Sequence, residues 1–279
     1  MTAPEQASLS VLLCGAWDDG DGYPRTAALR QGLERAGHEV RECRVPGLGR
    51  SKHRLLRQPW RWPAALLRAA RDRRRLLAAL RRAQAERRPD CIVVPYPGHR
   101  LVAAVKANAA APVVLDLFLS AYDTVVEDRR LCEPGSLGAW WLQRLDRAAC
   151  AAADLVLVDT PCNAAYVAAL TGLPPERFAW LPLSDPHAAA PVPHAPVAEV
   201  GDGGALRVLF FGTGVPLHGL DVLIDACVDG PVHLTLVGGT AADRGHARAA
   251  LGDRVTLAPE FVDRHRLAEL LAQCDLVAG

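Results

Sequence analysis

At 279 residues the chain is long enough for two domains of the usual ~100–200 residues, and half of it is apolar. Its 32 basic and 31 acidic residues nearly cancel, which excludes a disordered, collagen-like or single-sign chain. No apolar run approaches the ~18–20 residues of a membrane span, and the opening MTAPEQASLS lacks the basic flank of a secretory signal, so a soluble, cytoplasmic globular protein is expected.

The predicted elements alternate between strand and helix. Residues 9–15 make a short apolar strand, followed by a loop rich in Gly and Asp. A helix then runs from Pro24 to about residue 36, with Gly37 as its stop. Residues 38–45 read as an edge strand. A basic stretch leads into a long helix over 63–87, and further apolar runs follow at 91–95, 113–117, 155–158 and 178–183, separated by helical stretches. Such alternation predicts an α/β fold of doubly wound parallel sheets.

Residues 185–204 break the pattern with four prolines (Pro186, Pro191, Pro193, Pro196) and three glycines, and read as a linker. The alternation restarts with strands at 206–211, 233–237, 254–257 and 275–278 and helices at 220–227, 244–251 and 264–273. The expected domains are therefore 1–184 and 205–279. The last strand meets the end of the sequence with no helix to cover it, so the second domain is expected to be incomplete.

Charge is unevenly placed. Between residues 50 and 88, fourteen Arg or Lys face only Asp72 and Glu86, a local net of +12 that leaves −11 for the remainder. Trp60 and Trp62 precede the long helix. There Leu66, Leu67, Ala70, Leu77 and Leu80 share one side, and Arg68, Arg71, Arg75 and Arg82 stand opposite, with Arg73 intruding on the apolar side. This composition suits an anionic membrane surface; it equally suits an amphipathic helix docked on the sheet with a solvated Arg face. Nucleic acid is a poorer partner, because few aromatic residues interleave the charges. The eight cysteines form no CxxC or CxxH pair, so neither a metal site nor a disulfide framework is expected.

Candidate site residues sit where doubly wound sheets bind ligands, outside the carboxyl ends of strands. In the first loop, Gly20 and Gly22 let backbone approach a ligand, Tyr23 borders them, and Arg25 is placed to meet a phosphate. Asp116 and Asp123 stand at and just beyond the strand over 113–117, where a carboxylate takes a proton or orients a sugar hydroxyl. Asp159 and Thr160 end the next strand likewise. The turn FGTGVPLHGL (211–220) is neither a dinucleotide fingerprint nor a Walker A loop, since its third glycine falls late and Leu220 stands where Lys would be. It remains a turn whose Gly212, Thr213, Gly214 and His218 suit a diphosphate. Each of these segments also reads as an ordinary connecting turn.

GYPRTAALRQGLERAGHEV (22–40), RVLFFGTGVPLHGLDVLIDA (207–226), LTLVGG (234–239) and DRVTLAPEFVDRHRLAELLAQCDLVAG (253–279) together resemble the retaining, GT-B-fold glycosyltransferases of family 4. The resemblance implies two Rossmann-like domains across a cleft, the first for the acceptor and the second for a nucleoside-diphosphate sugar, with no metal and no other cofactor. It implies a sugar transferred to a lipid-linked or polysaccharide precursor at the cytosolic membrane face. The family commonly holds the diphosphate with Arg and Lys where Thr213 and His218 stand here. Its paired glutamates, which grip sugar and ribose, would lie beyond residue 279, so weak transfer is expected of this chain. The competing expectation is a degenerate, non-catalytic relative that binds a membrane or a partner.

Overall fold

The computed structural model describes residues 7–17, 24–47, 62–184 and 204–278, which fall into two compact units, Met1–Ala188 and Ala189–Gly279. Gly20, Gly22, Tyr23, Trp60, most of the expected linker and the side chain of Trp62 lie outside the described residues.

Unit 1 is a parallel sheet of β1 (Ser10–Trp17), β2 (Glu39–Pro46), β3 (Cys91–Val94), β4 (Val113–Phe118), β5 (Leu155–Val158) and β6 (Phe178–Trp180), in the order β2-β1-β3-β4-β5-β6. Its helices are α1 (Pro24–Arg35), α2 (Trp62–Glu86), α3 (Val102–Lys106), α4 (Leu137–Ala152) and α5 (Pro161–Thr171). Central strands of parallel sheets are covered on both faces and so read as nearly continuous apolar runs. Accordingly Leu12 and Cys14 of β1 pack with Leu76 and Leu80 of α2, Val102 and Val105 of α3, Cys150 of α4 and Val167 of α5. On the opposite face Val11, Leu13 and Trp17 meet Leu29 of α1. Edge strand β2 buries only Cys43 and Val45, and Cys14 and Cys43 stand directly opposite in the β1–β2 register.

Local chemistry sets the helix ends. Gly37 takes φ +84° after α1, and the Thr160 side chain accepts from Asn163 N–H ahead of Pro161 to start α5, which Gly172 ends at φ +64°. A π-helical turn over Asp123–Asp128, which periodicity does not signal, follows β4.

Helix α2 corrects the sequence expectation. Leu76 and Leu80 are its buried residues, whereas Leu66 and Leu67 are each 64% exposed and Ala70 is exposed too. The helix has 25 residues, or about 37 Å at 1.5 Å per residue. Its second half docks on the sheet, and its first half stands clear with Arg68, Arg71 and Arg75 exposed.

Unit 2 is a four-stranded parallel sheet, β7 (Leu206–Gly212), β8 (Val232–Gly238), β9 (Val255–Leu257) and β10 (Leu276–Ala278), ordered β10-β7-β8-β9. Helices α6 (Leu220–Ala226) and α7 (Ala241–Leu251) cover one face through Leu220, Ile224, Ala247 and Leu251. Leu270 of α8 (Arg264–Gln273) packs on Leu209 and Val237 on the other face.

Candidate functional site

In unit 1 the chain runs outward from β1 to β2 and then returns to β3 and onward, so the connections that leave the neighbouring strands β1 and β3 run in opposite directions. That crossover point is where open α/β sheets hold ligands. Arg25, in the first turn of α1, and Asp116, near the end of β4, meet at this edge. Arg25 Nη2 and Nε donate to Asp116 Oδ1 at 2.8 and 3.1 Å, and Nη1 donates to the Leu181 carbonyl at 2.6 Å. Both side chains are buried, Asp116 completely. Burial pushes the Asp116 carboxyl above the ordinary Asp range, with the Arg25 hydrogen bonds and charge pulling the other way.

This differs from the sequence expectation for both residues. The Arg25 guanidinium is taken up by protein oxygens and is not open to a phosphate. Asp116 exposes no surface to an acceptor, so what it does is hold Arg25 in place. Arg25 in turn lies over the ring of Phe118, 5.0 Å from its centroid. Phe118 sits at φ +58°, a conformation rare for a bulky residue, where the β4–β5 register shifts. Tyr96 meets the Phe118 ring edge-on at 5.5 Å.

Beside them is a second buried carboxylate, Asp146 of α4. It accepts from the Ser120 hydroxyl at 2.7 Å and from the Tyr122 and Ala121 N–H groups at 2.9 and 3.0 Å. His99 Nε2 stands 3.3 Å from Asp146 Oδ1, close enough for a charge contact but not aligned as a hydrogen bond. Burial raises the Asp146 carboxyl, yet the His99 ring, the two N–H groups and the hydroxyl outweigh it and hold it below the usual range. Asp123 is half-buried and is pushed up by burial first, then by the charges of Glu127, Asp128, Asp146 and Asp159. Asp159 accepts from Asn163 Nδ2 at 2.8 Å, and Thr160 caps α5, so this pair serves the local fold.

His99, Phe118 and Asp146 went unread in the sequence. The first follows β3 in Pro-Tyr-Pro-Gly-His, a strand-end loop of the kind searched elsewhere. The third is an acid within the run WWLQRLDRAAC, where a buried charge needs partners.

The structure brings the four expected donor residues of unit 2 onto one turn, between β7 and α6. Gly212 and Gly238 stand opposite in the β7–β8 register, and Gly239 N–H donates to the Gly212 carbonyl at 2.9 Å. A Cβ on Gly238, at φ +86°, would lie 2.0 Å from the Gly212 oxygen. One on Gly214, at φ +67°, would lie 2.7 Å from Asp243 Oδ2. These glycines therefore let two strand-end loops touch. Gly212 makes room for His218: a Cβ there would lie 2.8 Å from the ring Nδ1. The ring packs edge-on against Phe210 at 6.0 Å, and Nδ1 is buried with no hydrogen-bond partner among the described residues. Thr213 is exposed.

A family model described as a glycosyl transferase 4-like domain matches residues 22–184. No sequence among the curated proteins matches the chain. Among solved structures it is similar to sucrose-phosphate synthase of Thermosynechococcus elongatus, at 16% identity and TM-score 0.59, over 97% of this chain and 75% of that one. A glycosyltransferase of Rickettsia africae is similar at 10% identity and TM-score 0.56, over 98% of this chain and 73% of that one. HepE of Anabaena, solved in complex with UDP, is similar at 16% identity and TM-score 0.52, over 96% of this chain and 73% of that one. At such identities the likeness shows the fold, the two Rossmann-like units of GT-B proteins. The family match takes in more than half of the sequence and the whole Arg25–Asp116 network, and the chain accordingly belongs to the glycosyl transferase 4-like family.

Proposed function

We propose that this protein moves a sugar, with retention of configuration, from a nucleoside-diphosphate sugar to an acceptor hydroxyl. The observation that carries the reading is the family match over 22–184, which contains the edge built by Arg25, Asp116, Phe118 and His99. The acceptor is placed at that edge. Asp116 acts there as a positioning residue through Arg25. Asp123, half-buried and held above the ordinary carboxylate range, orients the hydroxyl for attack on the face the diphosphate leaves, and the hydroxyl proton passes to the departing diphosphate oxygen as the bond to the sugar breaks. The donor diphosphate is placed at the β7–α6 turn, against Thr213 and His218. UDP, present in the HepE structure, is the first nucleotide to try. No metal or further cofactor enters this reading.

The acceptor is lipid-linked or polysaccharide in this reading, and the protein works peripherally at a cytoplasmic membrane face. That part is supported by the first half of α2, where Leu66 and Leu67 are exposed among arginines. The same half-helix favours the competing function, a non-catalytic protein that binds a membrane or partner.

Thermal unfolding of the chain with UDP-, GDP- and ADP-sugars tests the donor site. A ligand at 100 times its Kd adds about 2.7 kcal/mol. A transition unmoved by every nucleotide overturns the site. Asp123→Asn is then expected to lower kcat about a hundredfold with Tm unchanged; full turnover in that variant removes Asp123 from the reaction.

A further inference from the structure

Unit 1 carries another exposed apolar surface, on the first turns of α4. Leu137, Trp140, Trp141 and Arg144 are spaced three and four apart and so share one face. Leu137 is 87% exposed, Trp140 53% and Trp141 47%. Each indole has a guanidinium over its ring, Arg144 at 4.8 Å from Trp140 and Arg100 at 5.6 Å from Trp141. The opposite face of α4 is fully used, burying Ala139, Asp146, Ala149 and Cys150. No acid stands between Leu137 and Leu145.

Topology puts this face next to the free half of α2. Helices α2 to α5 share one core cluster, hence one side of the sheet. Each follows a parallel strand, so all four begin at the carboxyl edge. α3 packs between α2 and α4, at interaxial spacings of about 8–10 Å. One edge and one side of unit 1 therefore present Leu66, Leu67 and the α2 arginines, then Arg100, then the two indoles. Asp72, 21% exposed, is the acid on the free half of α2 and faces Arg68 and Arg75.

We propose that Trp140 and Trp141 seat this unit in an anionic lipid bilayer, the indoles in the headgroup boundary and Arg100 and Arg144 on lipid phosphates. Trp is suited to that boundary because its ring is apolar and its N–H is polar. Guanidinium groups over the rings carry positive charge to the same depth. A patch of this size holds a surface only weakly by itself, and membrane anchoring generally takes two signals; the α2 arginines supply the second, electrostatic one. This deepens the membrane part of the proposed function and rests on it. It adds the orientation: the carboxyl edge of the sheet faces the lipid, so an acceptor on a lipid carrier arrives at Phe118 and His99 from the bilayer.

The test is vesicle co-sedimentation with phosphatidylglycerol and phosphatidylcholine in equal parts, together with quenching of Trp fluorescence by lipids brominated on the acyl chain. The full chain is expected to bind and to be quenched. Trp140→Ala with Trp141→Ala is expected to weaken binding about tenfold or more and to remove most of the quenching, with unchanged circular dichroism and Tm. Arg68→Glu with Arg71→Glu and Arg75→Glu tests the α2 contact separately. If only that variant binds normally, the α2 reading fails and the Trp surface stands. If the Trp variant binds and quenches as the parent does, the Trp surface is overturned whatever α2 does. A chain that binds no vesicles overturns both. Undiminished vesicle binding with lost transfer to a soluble acceptor would reassign the indoles to sugar stacking, against the proposal.

Discussion

Both units are parallel sheets with different strand orders, and their carboxyl edges are built from opposite materials. Unit 1 closes its edge with a buried ion pair, Arg25 to Asp116, and with Phe118 held at positive φ. Unit 2 closes its edge with glycines, Gly212 against Gly238 and Gly214 against Asp243. A charge-built edge uses up its polar groups: every nitrogen of Arg25 has a protein oxygen. A glycine-built edge brings backbones together and leaves the buried Nδ1 of His218 without a partner among the described residues. The first arrangement fixes a shape with its polar groups spent, and the second fixes one with close backbone contact. The carboxyl edges of two parallel sheets therefore need not be read for the same residue types.

Removing one partner of the charge-built edge has the largest expected effect. Asp116→Ala leaves the Arg25 guanidinium buried without its carboxylate and is expected to cost about 3–5 kcal/mol, measured by urea unfolding. A loss below about 1 kcal/mol would show that water reaches Arg25 and that the pair is not what fixes this edge. Gly238→Ala probes the other material. The new Cβ meets the Gly212 oxygen at φ +86°, and strain with overlap amounts to about 3 kcal/mol. A neutral result would mean that the two loops separate freely.

A smaller effect is expected from Thr240→Ala at the start of α7. There the Thr240 side chain and Asp243 cap each other's backbone N–H, and loss of such a cap costs about 1 kcal/mol. The variant should lower the denaturation midpoint without altering the response to nucleotide.

The pH dependence separates two of the paired carboxylates, one from each unit, by sign. Asp275 in unit 2 is pulled down to about 2 by the Arg207 side chain and N–H. A depressed folded pKa contributes stability above the ordinary Asp value and loses it as pH falls toward 2. Asp116 is raised by burial, so its contribution is present at low pH and is lost as pH climbs through its folded value. Asp275→Asn should therefore narrow its deficit against the parent between pH 4 and about 2. A deficit constant over that range would mean that the pair with Arg207 does not persist in solution.

Much of the fold was legible because burial on both faces leaves a simple mark. The run over residues 9–15 reads as a strand, and Pro24 with Gly37 bracket α1 in the sequence as in space. Periodicity was less informative for α2. It finds an apolar stripe but not how far along the helix the sheet extends, so Leu66 was placed with Leu80 although only the second is buried. The Arg25–Asp116 pair was harder still. Both residues were noticed, but they lie 91 positions apart, and nothing local distinguishes a carboxylate facing solvent from one facing a guanidinium. Phe118 was unreadable for a related reason: its backbone conformation is imposed by the groups around its ring, not by its own preference.

The facing thiols of β1 and β2 have a practical consequence. Burial pushes the Cys14 and Cys150 thiols up to about 12 and raises Cys43 and Cys227 as well. Almost none of these is thiolate at neutral pH, and only the thiolate attacks an alkylating reagent. Cys162, exposed on the first turn of α5, is accessible in the folded protein. The order in which the others are captured by such a reagent would time the opening of each sheet, with Cys14 reporting on unit 1 and Cys227 on unit 2, and no probe would have to be introduced.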